Sequence, residues 1–387
     1  MIAVRTGGRS HRIARAMARV LVAGLLILAG ADAWSRASAA ERRVVRVAAV
    51  GDVMMGTEGR LPPDDGLSLF AAAKPFLRPN DLVFCNHEGT LTEFDKPKKV
   101  PVDTVAYVFR TPPRYARYLE EAGFNMVSVA NNHFYDYGAV GAQETMDSLR
   151  RHHIGYSGPP GVVASKTVND LKTVMVAFHT SAHSHWLLDI PKACQIVQRL
   201  AESHDIVIVS FHGGREGRDA LRTPREMEFH LEEPRGEIVR FARAVVEAGA
   251  DLVLGHGPHV PRAMEIYNGR LIAYSLGNFC TGEGINVQGE TGYAPLLLVE
   301  LDESGQLIGG RVVSFYQTYG QPPLPDPQDR AVRLMHELGC LDFPDSNPLT
   351  EDGALVPATT QEPQAPAETA GTDPGPNRSM QTEPPDL

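Results

Sequence analysis

From residue 43 onward the chain alternates short β-branched runs with stretches whose apolar residues recur at helical spacing. The runs are VVRVAAV at 44–50, DLVFCN at 81–86, MVSVANN at 126–132, TVMVAF at 173–178, DIVIVSFH at 205–212 and DLVLGH at 251–256. Each ends in a polar cluster, as a buried strand does where it leaves a core. Between them lie PPRYARYLEEAG, GAQETMDSLRRHH and GEIVRFARAVVEAGA, two of which close on a Gly that would stop a helix. Repeated strand, helix, strand units predict an α/β fold, a sheet covered by helices.

Later the rhythm changes. RLIAYSLGNF at 270–279, YAPLLLVELD at 293–302 and QLIGGRVVSFYQTY at 306–319 follow one another with turn-type connections and no room for a helix, which predicts antiparallel strands. From Gly320 Pro and Gly dominate, with a short helix expected over 329–338. Residues 351–387 are Pro, Thr, Glu and Ala with almost no bulky apolar side chains, a poor core-forming composition that predicts a disordered tail. The expected organisation is one domain over 41–320, an extension over 321–350 and the tail.

Residues 1–40 follow another pattern. Arg5, Arg9, Arg12, Arg15 and Arg19 precede an apolar run from Val20 to Ala31, and the segment ends in Ala37-Ser38-Ala39-Ala40. The run is well short of the ~20 residues a spanning helix needs. A signal peptide removed near Ala39 or Ala40 is expected, and with it a periplasmic or extracellular protein; an uncleaved membrane anchor is the alternative. Export permits disulfides, yet Cys85, Cys194, Cys280 and Cys340 are widely spread and show no metal-finger spacing. Cys85 and Cys280 sit in apolar runs where a buried free thiol is expected. With 37 Lys and Arg against 47 Asp and Glu, the net charge is −10 and no basic stripe is visible, which excludes nucleic acid as a partner.

Ligands of open α/β sheets bind at the carboxyl ends of strands. Those ends carry Asp52; Asn86, His87 and Glu88; Asn131, Asn132 and His133; His212; and His256 with His259. Mixed oxygen and nitrogen donors suit a divalent transition metal such as Mn²⁺, Fe²⁺ or Zn²⁺, and a carboxylate can bridge two ions. Any one of these residues could instead cap a helix or bond a turn, Asn131, His87 and Asp52 among them. Their convergence from separate strand ends is what predicts a metal centre. Arg110, and Arg215 with Glu216 directly after His212, are the groups best placed to read an anionic substrate, and Arg110 could equally be a surface residue before a proline turn. Ser275 and Asn278 could touch substrate or close a turn over the site.

Six segments in order carry a family resemblance. They are Ala49-Val50-Gly51-Asp52-Val53-Met54-Met55-Gly56, Asn86-His87-Glu88-Gly89-Thr90-Leu91-Thr92, Ser128-Val129-Ala130-Asn131-Asn132-His133 with Asp136-Tyr137-Gly138, Ser210-Phe211-His212-Gly213-Gly214-Arg215-Glu216, Gly255-His256-Gly257-Pro258-His259-Val260 and Tyr274-Ser275-Leu276-Gly277-Asn278-Phe279. They resemble the motifs of the CapA family of poly-γ-glutamate capsule biosynthesis proteins, which is similar in turn to the calcineurin-like metallophosphoesterases. The resemblance implies a calcineurin-like metallophosphoesterase fold with a β-sandwich core flanked by helices. It also implies two divalent metal ions held by Asp52, a bridging Glu88, Asn132, His212, His256 and His259, with Asp52 and His133 as catalytic residues and His133 as general acid.

Three departures from the wider pattern stand out. Met54 occupies the place of a ligand His, Glu88 replaces an Asp, and His256 and His259 are three residues apart rather than two. A thioether is a poor ligand for a borderline cation, so the first metal position is expected to be the weaker one. Two functions follow from the resemblance. One is a metal-dependent hydrolase or transferase acting on a phosphoester or polymer bond outside the cytoplasm. The other is a non-catalytic factor that holds metal and polyanion while an anionic polymer is assembled or exported beside membrane-bound capsule synthesis proteins.

Overall fold

The computed structural model describes residues 43–57, 59–98, 107–282 and 284–357. The expected signal peptide, and the tail from residue 358, lie outside these residues. All six β-branched runs become strands: Val45–Met54, Leu82–His87, Met126–Ser128, Leu171–His179, Ile206–His212 and Leu252–His256. The first three belong to one sheet and the last three to another. The first sheet runs in the order Leu324–Pro325, Leu307–Tyr316, Tyr293–Leu301, Val45–Met54, Leu82–His87, Met126–Ser128, Gly155–Ser157, with Asn278–Thr281 also paired to Val45–Met54. The second runs Met264–Tyr267, Arg270–Ala273, Leu252–His256, Ile206–His212, Leu171–His179, Ala164–Val168, with His185–Trp186 beside Leu171–His179.

Alternation along the strands explains the layers. Val45, Val47 and Ala49 meet Met175, Ile208 and Leu254 in a core between the sheets. Their neighbours Ala48 and Val50 turn the other way, with Val83 and Cys85, and pack with Ala116 and Leu119 of the helix Ala116–Ala122. On the far side Val207 and Val209 pack with Val197 of the helix Ile190–Ala201 and with Phe241 and Val245 of Ile238–Glu247. Strands covered on both faces need apolar side chains at every position, which is why these runs lack polar alternation. The result is α/β, a β-sandwich flanked by helices, as expected.

Four helices match the sequence reading, Ala116–Ala122, Gly138–Arg151, Ile238–Glu247 and Arg330–Asp342, and Ile190–Ala201 was not foreseen. Its start is fixed by Asp189, whose Oδ1 accepts the Lys192 N–H at 3.1 Å, and by a proline in its first turn. Among the described residues no helix is long and apolar enough to cross a membrane. All four cysteines are free, with Cys85 and Cys280 buried.

Two expectations are corrected. RLIAYSLGNF is not one antiparallel strand: Arg270–Ala273 joins the second sheet and Asn278–Thr281 the first, each with a parallel neighbour. Between them the chain crosses from sheet to sheet, and the turn is closed by Ser275, whose Oγ donates to the Val260 carbonyl at 2.7 Å and accepts the Gly277 N–H at 3.1 Å. The domain also continues past residue 320. Leu324–Pro325 pairs with Leu307–Tyr316, and the helix Arg330–Asp342 buries Val332 and Met335 in the core between the sheets. Residues 351–357, assigned to the tail, are placed as well: Ala354 bridges Arg311 and Leu355 is 4% exposed. Sparse apolar residues are enough here because Gly310 offers its backbone, accepting the Leu355 N–H at 3.0 Å.

Candidate metal centre

Parallel pairing brings the strand ends to one edge of the sandwich. Asp52 lies opposite Asn86 in the first sheet, and His212 opposite His256 in the second. Glycine lets the connecting loops close up. A Cβ on Gly51 would stand 2.0 Å from the Gly277 carbonyl oxygen, the atom to which the Asp52 N–H donates at 2.8 Å. A Cβ on Gly257 would stand 2.4 Å from the Gly213 oxygen, and this glycine has φ +116°. The loop after His212 and the loop carrying His259 are thereby pressed backbone to backbone. His259 itself is left-handed, φ 59°, a conformation costly for a non-glycine residue and found where packing forces it.

One ligand atom from each of Asp52, Glu88, His212 and His259 falls within 4.8 Å of the others. His259 Nδ1 is 3.1 Å from Asp52 Oδ2, His259 Nε2 is 3.7 Å from Glu88 Oε1, and His212 Nε2 is 3.4 Å from the same Glu88 oxygen. His256 joins from the side, its Nδ1 3.3 Å from Asp52 Oδ1. Asn86 Nδ2 donates to that oxygen at 2.8 Å, fixing the carboxylate plane.

The donor set fits a cation. Asp52 Oδ2, both Glu88 oxygens, Asn132 Oδ1 and both ring nitrogens of His212 and of His256 are buried and make no hydrogen bond. Buried polar atoms are normally paired, and so many orphans at one place would be a heavy cost without a positive ion to satisfy them. Asp52, Glu88, His212, His256 and His259 are therefore the residues that would hold it, with Asn132, whose buried Oδ1 is also unpartnered, as the further donor the sequence expects. Without the ion, protons do part of that work. Burial opposes charge on both Asp52 and His259, but His256 and His259 more than offset it and hold Asp52 well below the usual carboxylate range. On His259, Glu88 and Asp52 outweigh burial and push the ring up to about 10. Burial raises Glu88 to about 7 and drives His212 well below the ordinary imidazole value.

His133 is tied to this group through Asn131, whose Nδ2 donates to Asn86 Oδ1 at 3.1 Å, and Asn86 in turn holds Asp52. The His133 Nδ1 is 2.8 Å from Asp136 Oδ2, and its ring lies 4.1 Å from that of Phe109. Asn131 is a brace: its Nδ2 donates to the His87 carbonyl at 2.8 Å and its Oδ1 accepts the His133 N–H at 3.1 Å. His87 is not among the grouped ligands; its ring nitrogens are buried and unbonded, and burial cuts its basicity to about 4. Met54 is 1% exposed and packs with Phe109 and Ile285.

The residues expected to read substrate separate. Glu216 reaches the centre, with Oε2 3.9 Å from His259 Nε2. Arg215 turns outward to pair with Asp219, and Arg110 Nη1 donates to the Glu93 carbonyl at 2.9 Å with its guanidinium over Tyr137. Asn278 is fully buried and serves His259 instead: its Oδ1 is 3.0 Å from Nδ1, and its Nδ2 donates to the His259 carbonyl at 3.2 Å.

A family model described as "Bacterial capsule synthesis protein PGA_cap" matches residues 46–283, which takes in every candidate ligand. The chain belongs to the PGA_cap family. It is 27% identical over 260 residues to "PGA biosynthesis protein CapA" of Bacillus subtilis (strain 168), covering 62% of this chain and 64% of that protein. It is 26% identical over 269 residues to "Capsule biosynthesis protein CapA" of Bacillus anthracis, covering 63% and 61%. The matches thus span less than two thirds of those relatives' own length. Among solved structures, a 5'-nucleotidase precursor from Thermus thermophilus is similar with a TM-score of 0.41 and 11% identity, over 73% of this chain and 54% of that one.

In this PGA_cap protein several site residues escaped the sequence reading. Arg235, from the hairpin Glu228–His230 and Glu233–Gly236, is 3% exposed with Nη2 2.9 Å from Glu216 Oε1. Behind it Arg262, fully buried, forks onto Glu228 at 2.9 and 2.8 Å, while Glu228 Oε2 accepts the Arg215 N–H at 2.9 Å. Arg235 lies outside any strand-end run, in a stretch whose only signal was its charge, and Arg262 stands two residues past the Gly255–Val260 segment with no signal of its own.

Proposed function

We propose that this PGA_cap protein works outside the cytoplasm in the synthesis or export of an anionic capsule polymer such as poly-γ-glutamate, as a hydrolase of the metallophosphoesterase type using two divalent cations, Mn²⁺, Fe²⁺ or Zn²⁺. One observation carries this reading: buried donor atoms without partners stand beside an imidazole that a carboxylate orients. The polymer class is supported by the names of the two Bacillus relatives, and export by the arginine-rich start and apolar run of residues 1–40. Membrane-bound synthesis proteins are the expected partners.

Divalent cations at such a centre would supply Lewis acidity and acidify a water. The chain supplies the rest. Asp136 Oδ2 engages His133 Nδ1 and leaves Nε2 to hand a proton to a leaving oxygen. The same Asp136 oxygen accepts the Phe109 N–H at 2.7 Å, which keeps the carboxylate and the ring above it in register. Phe109, backed by Met54 and Ile285, shields one face of His133 from water. Asn278 and Asn86 hold His259 and Asp52 in the orientations their strands deliver.

The test is turnover by the full chain with Mn²⁺ on an aryl phosphodiester, an aryl phosphomonoester and poly-γ-glutamate. Activity that His133→Ala abolishes while Mn²⁺ still binds supports the hydrolase. The second reading, a non-catalytic holder of cation and polyanion, is favoured by the apolar Met54 where the wider pattern has an imidazole. It predicts Mn²⁺-dependent binding of poly-γ-glutamate with no product from any of the three.

A further inference from the structure

We propose that Glu216 is itself a ligand of the centre, a carboxylate serving its outer, solvent-facing cation position. The inference rests on reading the cluster as a cation centre. Glu216 follows His212 by four residues on a loop whose backbone is engaged on all sides. The Gly213 N–H donates to the His256 carbonyl at 2.8 Å, Gly214 to that of Arg235 at 2.9 Å, and Gly217 to that of Pro258 at 3.1 Å. A side chain on so constrained a loop points where the fold aims it.

Its two oxygens face different partners. Oε1 is 2.9 Å from Arg235 Nη2, while Oε2 lies 3.5 Å from His230 Nε2 and 3.9 Å from His259 Nε2. A carboxylate whose whole role was to neutralise Arg235 would meet the guanidinium fork with both oxygens. Here the second oxygen lies between two imidazoles, that of His230 and that of His259, which also faces Glu88, and Arg235 Nε and Nη2 are both buried without a hydrogen bond. A buried arginine is expensive unless paired. Arg235, 3% exposed, is best understood as the charge that keeps Glu216 aimed at the centre and ionised.

Glu216 stands outside the tight group of Asp52, Glu88, His212 and His259, on the side of His259 Nε2. Its side chain is 18% exposed and that of His259 14%, against 0% for Asp52, Glu88 and His212, so this is the side of the centre open to solvent. With Glu216 added, three carboxylates act together with three imidazoles. An oxygen-rich set favours harder ions, so Mn²⁺ gains on Zn²⁺ at the outer position.

Titrating the metal-free full chain with Mn²⁺, by calorimetry and by the electron paramagnetic resonance signal of free Mn²⁺, tests this without any substrate. The natural protein should take two ions. Glu216→Gln, nearly isosteric, should keep the first and weaken the second by at least about tenfold. Glu216→His should retain the second ion but shift its preference from Mn²⁺ toward Zn²⁺. Equal Mn²⁺ binding by the natural protein and Glu216→Gln overturns the inference and leaves the centre standing. Failure of the natural protein to bind Mn²⁺ or Zn²⁺ overturns the centre and this ligand with it. Should Glu216→Gln not fold, Glu216→His decides alone, and an unchanged metal preference there overturns the inference.

Discussion

His212 and Glu88 meet at 3.4 Å, Nε2 to Oε1, although one ends a strand of the second sheet and the other follows a strand of the first. The candidate centre is thus a seam between the sheets, and its geometry depends on how they pack. His212→Ala should abolish the tightest Mn²⁺ binding while leaving the melting temperature of the metal-free protein the same or higher, because an unpaired buried imidazole is lost. Calorimetry and thermal unfolding of the apo-protein check both halves of this expectation.

Cation binding should strengthen as pH rises. His259, pushed up to about 10, holds a proton across the neutral range and must release it to offer its nitrogen. One proton released per ion gives roughly a tenfold gain in affinity per pH unit. Below about 7, where burial leaves Glu88 protonated too, a second proton must leave and the slope should steepen. Mn²⁺ dissociation constants between pH 6 and 9 measure this; a flat profile would contradict the proton-for-metal exchange.

His133→Ala should lower any hydrolysis by about 10²–10⁴-fold while Mn²⁺ affinity holds. Asp136→Asn should cause a smaller loss and alter the pH dependence of the rate, since a carboxamide at 2.8 Å no longer dictates which ring nitrogen of His133 carries the proton. A comparison of pH–rate profiles separates this positioning role from simple loss of fold.

The pair of Arg262 and Glu228 is a structural pillar. Glu228→Gln leaves a fully buried guanidinium without a counter-charge and should cost about 3–5 kcal/mol in denaturant unfolding. Adding Arg262→Met to it should recover much of that loss. If the double variant is no more stable than the single one, the cost arises elsewhere in the loop.

Gly257→Ala combines a positive φ with a Cβ 2.4 Å from the Gly213 oxygen. The conformational term alone is about 1–2 kcal/mol. The overlap is with backbone, which can yield only by separating the His212 loop from the His259 loop, so Mn²⁺ binding should weaken along with stability. Normal binding in a folded Gly257→Ala protein would show that the two loops are not jointly constrained.

Much of this was legible before any coordinates. Asp52, Glu88, His212 and His256 could be found because each directly ends a β-branched run, and a run buried on both faces has no other use for such residues. The division of six strands between two sheets was not legible, since a strand covered by helices on one side and by the other sheet on the other reads the same in either sheet. Asn278 looked like a substrate contact because nothing local reveals that His259 lies across from it. Arg235 was invisible for the opposite reason, since a charged residue in a polar stretch reads as surface, and Arg262, just after a proline, reads as a turn charge; only the fold over Glu216 and Glu228 buries them. The end of the domain was missed because residues 351–357 pair mainly through backbone atoms, which composition does not record.

The Val45–Met54 strand, first of the described strands, lies inside its sheet, with Tyr293–Leu301 on one side and Leu82–His87 on the other. Arg46 and Glu300, 3.0 Å apart on adjacent strands, are separated by 254 residues of sequence. Asp52 rides on that strand, so its surroundings cannot be completed until almost the whole domain has been made. Closure over so long a loop is slow, and the strand waits meanwhile as an open edge able to pair wrongly. Folding of this chain should therefore be late and concerted, and a fragment that stops short of residue 301 should yield no half-formed centre at all.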